Sequence, residues 1–270
     1  MNTSYNLSNK FKVEGTLNYN HQFTPNIPDV VYGPNSVIYS MTLWTGADWN
    51  IDDMRDYWQP GKAGVQSKFA EYKRYHNPYF MSYEWLRGHY KNDVTGYAAL
   101  TYKPIADFEA VLRTNITSYN VLRDEKMPYS AHPYGRELAR GDYREDVREL
   151  FDNNIEALGK YNHKFGNIVV DAIAGLNARN FNYRSSFTTT DYLNVPGLYS
   201  FSNSLNVVRA YNYSSKMLVL SGYYTIGVEL GKYLNLTTTG RVDKSSTLRP
   251  GKNSYFYPSV SAASVISDYV

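Results

Sequence analysis

Apolar and polar side chains alternate along several stretches of this chain. In residues 233–243, Leu234, Leu236 and Val242 fall at even positions, and polar residues such as Asn235 and Arg241 fall at odd ones. Successive side chains of a strand point to opposite faces, so this pattern predicts a strand with one apolar and one polar face.

The next segment predicts the partner of this strand. The chain reverses near Arg249-Pro250-Gly251, and the return strand again separates apolar from polar side chains. Its apolar positions are Phe256, Val260, Ala262 and Ile266. Together the two strands predict a hairpin.

The same period of two recurs through the chain and predicts about nine strands. After a first strand near residues 2–7, the others are expected at about 11–20, 92–103, 108–117, 148–163, 167–183, 207–229, 233–248 and 255–267. The alternation favours an all-β, antiparallel fold.

The predicted connections alternate in length. Short turns near residues 8, 104, 164 and 230 alternate with long loops at about 25–90, 123–147 and 184–206 and with the Pro/Gly loop near 249. Outer-membrane β-barrels have short turns at one end and long loops at the other, whereas a β-sandwich gives no reason for such an asymmetry. Single-chain barrels usually close with an even number of strands, so we expect an arc of a larger ring.

Composition narrows the class further. The chain has 28 Tyr against 11 Phe and 4 Trp, which suits a membrane interface or a sugar-facing surface, although a Tyr-rich soluble β protein is the alternative. The net charge is +3 with both signs intermixed, so nucleic acid is not an expected partner. The longest apolar runs are about four residues, far below the ~20 of a membrane-spanning helix.

The sequence offers no catalytic constellation, and we expect no enzyme activity, cofactor or metal site. It lacks phosphate-binding, dinucleotide-binding and serine-hydrolase motifs, and its five histidines show no i, i+4 pair. The acidic group at 48–56 lacks the glycine and terminal glutamate of a calcium loop. We interpret it as the start of a short helix at about Ile51–Trp58.

All four tryptophans lie in the long segment 25–90: Trp44, Trp49, Trp58 and Trp85. Their rings could stack on sugar rings or peptide side chains, which makes them candidate substrate-binding residues. The alternative is that they anchor a packed loop core. The sequence leaves both interpretations open.

Several segments identify a family resemblance. Residues 240–261, GRVDKSSTLRPGKNSYFYPSVS, closely resemble a barrel hairpin of SusC/RagA-type TonB-dependent outer-membrane transporters. Residues 42–66 and 77–85, the latter NPYFMSYEW, resemble the family's long extracellular segment and its return to the barrel. The resemblance implies that residues 1–270 are part of a transmembrane β-barrel of about 22 strands that is plugged. It also implies that the three long loops are extracellular.

The resemblance further implies import of oligosaccharides or peptides across the cell outer membrane. The expected partners are a SusD-like surface lipoprotein, the TonB–ExbB–ExbD complex and outer-membrane lipid. The sequence lacks the family's signal peptide, TonB box, plug domain and closing strands, so we expect a fragment of the transporter. Two other functions remain open: a passive porin-type channel, and a soluble glycan-binding β module that uses the tryptophan-rich loop.

Overall fold

The computed structural model describes residues 2–30, 32–73, 75–132, 138–231 and 233–264. Nine strands form one antiparallel sheet in the order β1-β2-β5-β6-β7-β8-β9-β10-β11, and β3 and β4 form a separate hairpin. The strands of the large sheet are β1 (Asn2–Asn6), β2 (Phe11–Thr24), β5 (Leu86–Ile105), β6 (Phe108–Met127), β7 (Asp142–Phe165), β8 (Ile168–Thr189), β9 (Arg209–Leu230), β10 (Leu234–Ser245) and β11 (Ser254–Ser264). The predicted all-β architecture of about nine antiparallel strands is confirmed.

The strand register gathers the predicted apolar positions on one face of the sheet. Leu100, Leu112, Leu176, Val242 and Phe256 lie in a single row of paired residues that crosses from β5 to β11, with Ala157 and Gly222 between them. We call this side the apolar face and the opposite side the polar face. The prediction for Ile266 lies outside the described residues.

The apolar residues of the apolar face form a band, which we call the apolar band. It runs obliquely to the rows of paired residues. The row that holds apolar Val94 on β5 holds Lys216 on β9, and the row that holds Ala98 on β5 holds Lys244 on β10. The boundary of the apolar band on the loop side therefore lies closer to the turns on β10 than on β5. Strands that tilt by about 35–45° relative to a barrel axis produce this offset.

Several strands extend further toward the loops than the sequence pattern predicts. β6 reaches Met127 and β7 begins at Asp142, so the predicted loop at about 123–147 is reduced to residues 128–141. β8 likewise reaches Thr189. The strand ends were missed because charged residues occupy both faces there: Arg123 lies opposite Asp146, and Asp124 lies opposite Glu145.

The long segment between β2 and β5 is ordered by short elements. It contains α1 (Val37–Thr42), a 3-10 turn at Ile51–Met54, the hairpin of β3 (Trp58–Gln59) and β4 (Lys62–Gln66), and α2 (Pro78–Tyr83). The helix predicted at about Ile51–Trp58 is only this 3-10 turn. The backbone then enters β3 at Trp58 instead of continuing as a helix.

A small hydrophobic core lies between this segment and the loop end of β6 rather than between layers of sheet. Its fully buried members include Phe80, Met81, Trp85 and Met127, with Val37 and Ala131 beside them. Asn77 caps α2 by accepting hydrogen bonds from the backbone N–H groups of Tyr79 and Phe80. The core therefore fixes the segment 25–85 against the loop ends of β5 and β6.

Within the described part of the chain, no helix has both the length and the apolar character required to cross a membrane.

Candidate functional site

The polar face carries a connected row of charged and hydrogen-bonding side chains. Arg113, Glu156, Asn177, Ser221 and Asp243 are successive partners in one row from β6 to β10. This row lies on the side of the sheet opposite Leu112 and Leu176 because strand side chains alternate. The sheet therefore has one apolar side and one side built for polar contacts.

Glu156 is the centre of this row. Its carboxylate pairs with the guanidinium of Arg113 and accepts a hydrogen bond of 2.5 Å from the hydroxyl of Tyr223. The ring of Tyr223 reaches it by crossing Gly175, where a Cβ atom would lie 2.5 Å from the Tyr223 hydroxyl. Glycine at position 175 is thus required by the close approach of this ring.

A second pair continues the polar row on β10. Arg241 Nε donates to both carboxylate oxygens of Asp243 at 2.9 and 3.0 Å, and an Nη donates to Ser221 Oγ at 2.9 Å. The guanidinium donors of Arg241 are thus paired with the facing oxygen acceptors of Asp243 and Ser221. The middle of the polar face is therefore a fixed surface with its charges paired.

A pocket of about 470 Å³ lies on the same face at the loop end of the sheet. Its floor is formed by β5, β6 and β7, and residues 27–30 form one side. Glu125 on β6 accepts hydrogen bonds from Arg87 Nε and from Arg144 Nη1, both at 3.0 Å. Asp29 approaches Arg87 at 3.7 Å from the side.

Three cationic groups of this pocket keep unused hydrogen-bond donors. Arg87 Nη1 and Arg144 Nε are buried and have no acceptor among the described residues. Arg123 contacts His89 Nδ1 at 3.3 Å, while the carboxylate opposite it, Asp146, is held by Arg148 at 2.6 Å. Within the described ranges Arg123 forms no ion pair with a carboxylate.

The loop core positions the pocket through Trp85. The indole Nε1 donates a hydrogen bond of 2.7 Å to Glu125 Oε1, and the Arg87 guanidinium lies 4.5 Å from the centre of the indole ring. Trp85 itself is 1% exposed and packs in the core beside α2. The buried ring thus aligns the charged groups at the floor of the pocket.

His76 holds the other side of the loop core. Its Nε2 accepts a hydrogen bond from the backbone N–H of His132 at 3.0 Å, so Nδ1 carries the proton that is donated to Gln66 Oε1 at 2.9 Å. Burial lowers the pKa of His76 to about 4. The neutral imidazole therefore links β4 to the loop that follows β6.

The four candidate tryptophans occupy different environments. Trp85 and Trp58 both pack around Phe80, whereas Trp44 stacks on Tyr75 with ring centres 4.1 Å apart. Trp49 is 38% exposed. The structure therefore brings two of the four together, in the loop core, and leaves Trp49 with a free surface. Their contact with substrate stays a prediction.

The charged pocket residues were missed at the sequence level. Arg87, Arg123, Glu125 and Arg144 fall in stretches that were assigned to loops. Charged residues at i and i+2, such as Arg123 and Glu125 or Arg144 and Asp146, lie on the same face of a strand. This spacing is the sequence pattern that indicates a charged strand face here.

The acidic group near residue 50 forms ordinary capping contacts. Asn50 accepts a hydrogen bond from the Asp52 backbone N–H, and Asp52 pairs with Arg55 at 2.9 Å. Across the ranges that the structure describes, no group of three or more His, Cys, Asp or Glu side chains is arranged to hold a metal ion.

Comparison with solved structures identifies the fold. The "Structure of the RagAB peptide transporter" superposes with a TM-score of 0.74 at 14% identity and covers 97% of this chain. The RagAB peptide importer in the "open-open" state gives 0.74 at 15% identity, and the "closed-closed" state gives 0.72 at 14% identity. No protein-family model and no curated protein matches the sequence.

This chain spans only 29% of the matched RagAB chain, less than a third of its length. The likeness, together with the nine-stranded antiparallel sheet, gives the described residues the fold of an antiparallel β-barrel segment like the matched part of the RagAB chain. The expected fold is confirmed.

Proposed function

We propose that this chain forms part of the wall of a TonB-dependent transporter in the cell outer membrane, which imports peptides or oligosaccharides. The observation that carries the proposal is the two-faced sheet: an apolar band across one face, ion pairs on the other face, and long loops at one end only. In a membrane barrel the apolar face contacts lipid and the polar face lines the lumen.

The loop-end pocket favours peptides over neutral oligosaccharides. A carboxylate would pair with Arg123, because guanidinium groups bind planar anions in a bidentate manner. A peptide carries a C-terminal carboxylate, whereas a neutral sugar would leave the Arg123 guanidinium poorly matched. The similar RagAB structure is that of a peptide transporter, which supports the same choice.

The exposed loop surface would complete the binding site. Trp49 is the candidate tryptophan with an exposed ring, and we propose that it contacts substrate, with the partly buried Trp44 beside it in the same loop segment. Trp58 and Trp85 act through the loop core instead. A SusD-like lipoprotein would cover this loop end, as the paired name RagAB suggests for the solved relative, and the TonB–ExbB–ExbD complex would supply energy.

The two alternatives predict different behaviour. A soluble glycan-binding module would not display a row such as Leu112, Leu176 and Phe256, each more than half exposed, to water. A passive porin shares the two-faced sheet but needs no energy source.

Uptake by whole cells that carry the complete barrel tests the proposal. Fluorescent peptides should accumulate in the periplasm, and an uncoupler of the proton-motive force should abolish accumulation. Uptake that continues unchanged with the uncoupler would identify a passive channel. Arg123→Gln should reduce uptake of peptides with a free C-terminal carboxylate about 10-fold relative to amidated peptides, whereas Arg209→Gln, outside the pocket, should not alter that ratio.

A further inference from the structure

The alternation of side chains in β8 and β9 changes faces beyond the apolar band. Within the band the apolar residues lie on the apolar face, as Leu176 does on β8 and Leu220 on β9. Toward the loops the aromatic residues of both strands have the opposite parity and lie on the polar face. They are Phe181, Tyr183, Phe187, Tyr211 and Tyr213. We call these five residues the aromatic track.

Polar residues occupy the other side of the same strand ends. They are Asn180, Asn182, Arg184, Ser186, Asn212, Ser214 and Lys216. The aromatic groups of these strand ends therefore lie on one side only, which is the side that carries the loop-end pocket and the ion pairs. A continuous set of rings on one side of a strand pair marks a contact surface on that side.

The rings of the aromatic track are accessible. Tyr211 and Tyr213 are 62% and 61% exposed, and the other three side chains are half-buried. The ring centres of Tyr183 and Tyr213 lie 6.0 Å apart, and those of Phe187 and Tyr211 lie 6.2 Å apart. The three tyrosine hydroxyls have no hydrogen-bond partner among the residues that the structure describes. Such rings suit a contact that is wet at its edges rather than a dry core.

The spacing of the rings matches that of an extended peptide. Ser185 pairs with Tyr213, and Ser215 pairs with Tyr183, so each of these rings stands beside a small residue of the neighbouring strand. Residues on one side of a strand repeat every two positions, which is about 6.6–6.8 Å. An extended peptide has the same repeat, because its side chains also alternate. A peptide that lies along the strands therefore places every second side chain beside the rings.

The aromatic track is continuous with the loop-end pocket. Phe187 lines that pocket and lies in the same row of paired residues as Arg123, with Asp146 between them. Phe187 and Arg123 are two strands apart, about 10 Å, which about three residues of an extended chain span. From Phe187 the track continues along β8 for about 20 Å to Phe181, toward the ion-paired centre of the polar face.

We propose that the aromatic track binds alternate apolar side chains of an extended peptide whose C-terminal carboxylate lies at Arg123. The inference rests on the proposed function and specifies which peptides bind. The first apolar residue to meet a ring lies about three residues before the carboxylate, because that length of chain crosses from β6 to β8. A charged side chain at these positions would lose water to an uncharged ring and bind weakly.

Peptide binding to the complete barrel in nanodiscs, measured by fluorescence anisotropy, tests the track with the unaltered protein. The probes are two peptides of the same composition that end in Gly-Ser-Gly with a free carboxylate. One has three phenylalanines at alternate positions before this end, and the other has them in succession. We expect the alternating peptide to bind about 10-fold more tightly.

Equal affinities of the two peptides would overturn the track and leave the proposed function intact. Binding of neither peptide would overturn both. Displacement of the alternating peptide by maltoheptaose would show that the rings bind sugars, which also overturns the proposal.

Variants of the rings supply the second test. Tyr183→Ala together with Tyr213→Ala should weaken binding of the alternating peptide about 30-fold, whereas Phe at both positions should weaken it less than about 3-fold, because the rings make the contact. Tyr5→Ala is the matched control and should change the affinity less than about 2-fold. Tyr5 is 67% exposed and lies on the apolar face of β1. Equal losses in the control and the alanine variant would reject the track.

A cross-linking measurement applies even if the alanine variant does not fold, as judged by heat-modifiable gel migration. A benzophenone amino acid in place of one phenylalanine of the alternating peptide should cross-link to residues 181–187 or 211–217 of the unaltered barrel. Failure to cross-link there would mean that other parts of the complete barrel cover the aromatic track, and the proposal would be wrong.

Discussion

Trp85 Nε1 donates a 2.7 Å hydrogen bond to Glu125 Oε1, which ties the buried loop core to the charged floor of the pocket on the polar face. The same carboxylate accepts hydrogen bonds from Arg87 and Arg144. The Glu125 side chain on β6 therefore accepts hydrogen bonds from Trp85, just before β5, from Arg87 on β5 and from Arg144 on β7. The conformation of residues 25–85 and the charge arrangement in the pocket depend on one another.

Glu125→Gln should destabilise the loop core strongly. The amide keeps the size of the side chain but leaves two partly buried guanidinium groups without their carboxylate, at a cost of about 3 kcal/mol. Hydrogen exchange of the backbone amides of residues 77–85 measures this local opening. Glu149 is exposed and forms no ion pair with any described residue, so Glu149→Gln should change it by less than about 0.5 kcal/mol. Similar exchange rates in both variants would contradict the role of Glu125.

The alternation predicted the sheet and its two faces but not this site. The predicted facing of Leu236, Val242 and Phe256 is correct because a strand in the apolar band has apolar residues on one side only. Glu125 and Arg144 lie on the loop side of the apolar band. Charged residues occupy both faces of the strands there, so the alternation of apolar and polar residues is lost. Their pairing with Trp85 depends on tertiary packing, which no local pattern encodes.

The stability of the loop core should fall with acid through His76. Its pKa is about 4 in the folded chain and about 6.5 in the unfolded chain, so the unfolded state binds more protons between these values. Stability is full above about pH 6.5, decreases as the pH falls toward 4, and then levels off. The total loss is on the order of 3 kcal/mol.

Hydrogen exchange of residues 75–85, corrected for the intrinsic effect of pH, checks this prediction. His76→Gln removes the titrating group and should give a lower stability at pH 7 that no longer falls between pH 6.5 and 4. An unchanged slope in this variant would show that another group causes the acid sensitivity.

Gly175→Ala should disrupt the centre of the polar face. The new Cβ would lie 2.5 Å from the ring and hydroxyl of Tyr223, so the ring must move and release Glu156. We expect a loss of about 1–3 kcal/mol in the free energy of unfolding, measured by urea titration in detergent micelles. Gly227→Ala is the control, because its Cβ meets nothing closer than 3.8 Å.

A coupling measurement distinguishes this cause from general strain. Tyr223→Phe removes the hydrogen bond to Glu156, so part of the damage caused by Gly175→Ala is already present in that background. The two substitutions should therefore be less than additive, with a coupling energy of about 1 kcal/mol. Full additivity would mean that the alanine acts through the backbone alone.

The two faces of the sheet should contact different environments, with hydrocarbon on the apolar face and water on the polar face. Spin labels at Leu112 and Leu176 in the complete barrel should be accessible to oxygen, which partitions into hydrocarbon, and labels at Arg113 and Asn177 should be accessible to a water-soluble nickel chelate. The paired positions differ by one residue and occupy the same strands. The reverse accessibility pattern would mean that the facing is inverted.

Leu236→Arg should destabilise the complete barrel by about 2–4 kcal/mol if its side chain meets the middle of the bilayer. The residue lies on β10 within the apolar band, beside Val228 of β9 and Ala262 of β11, with no carboxylate opposite it. Asn235→Arg places the same charge one residue away on the polar face, where water or protein can solvate it, and should cost less than about 1 kcal/mol. Unfolding in urea from liposomes gives both values. Equal costs at the two positions would show that no bilayer covers the apolar face.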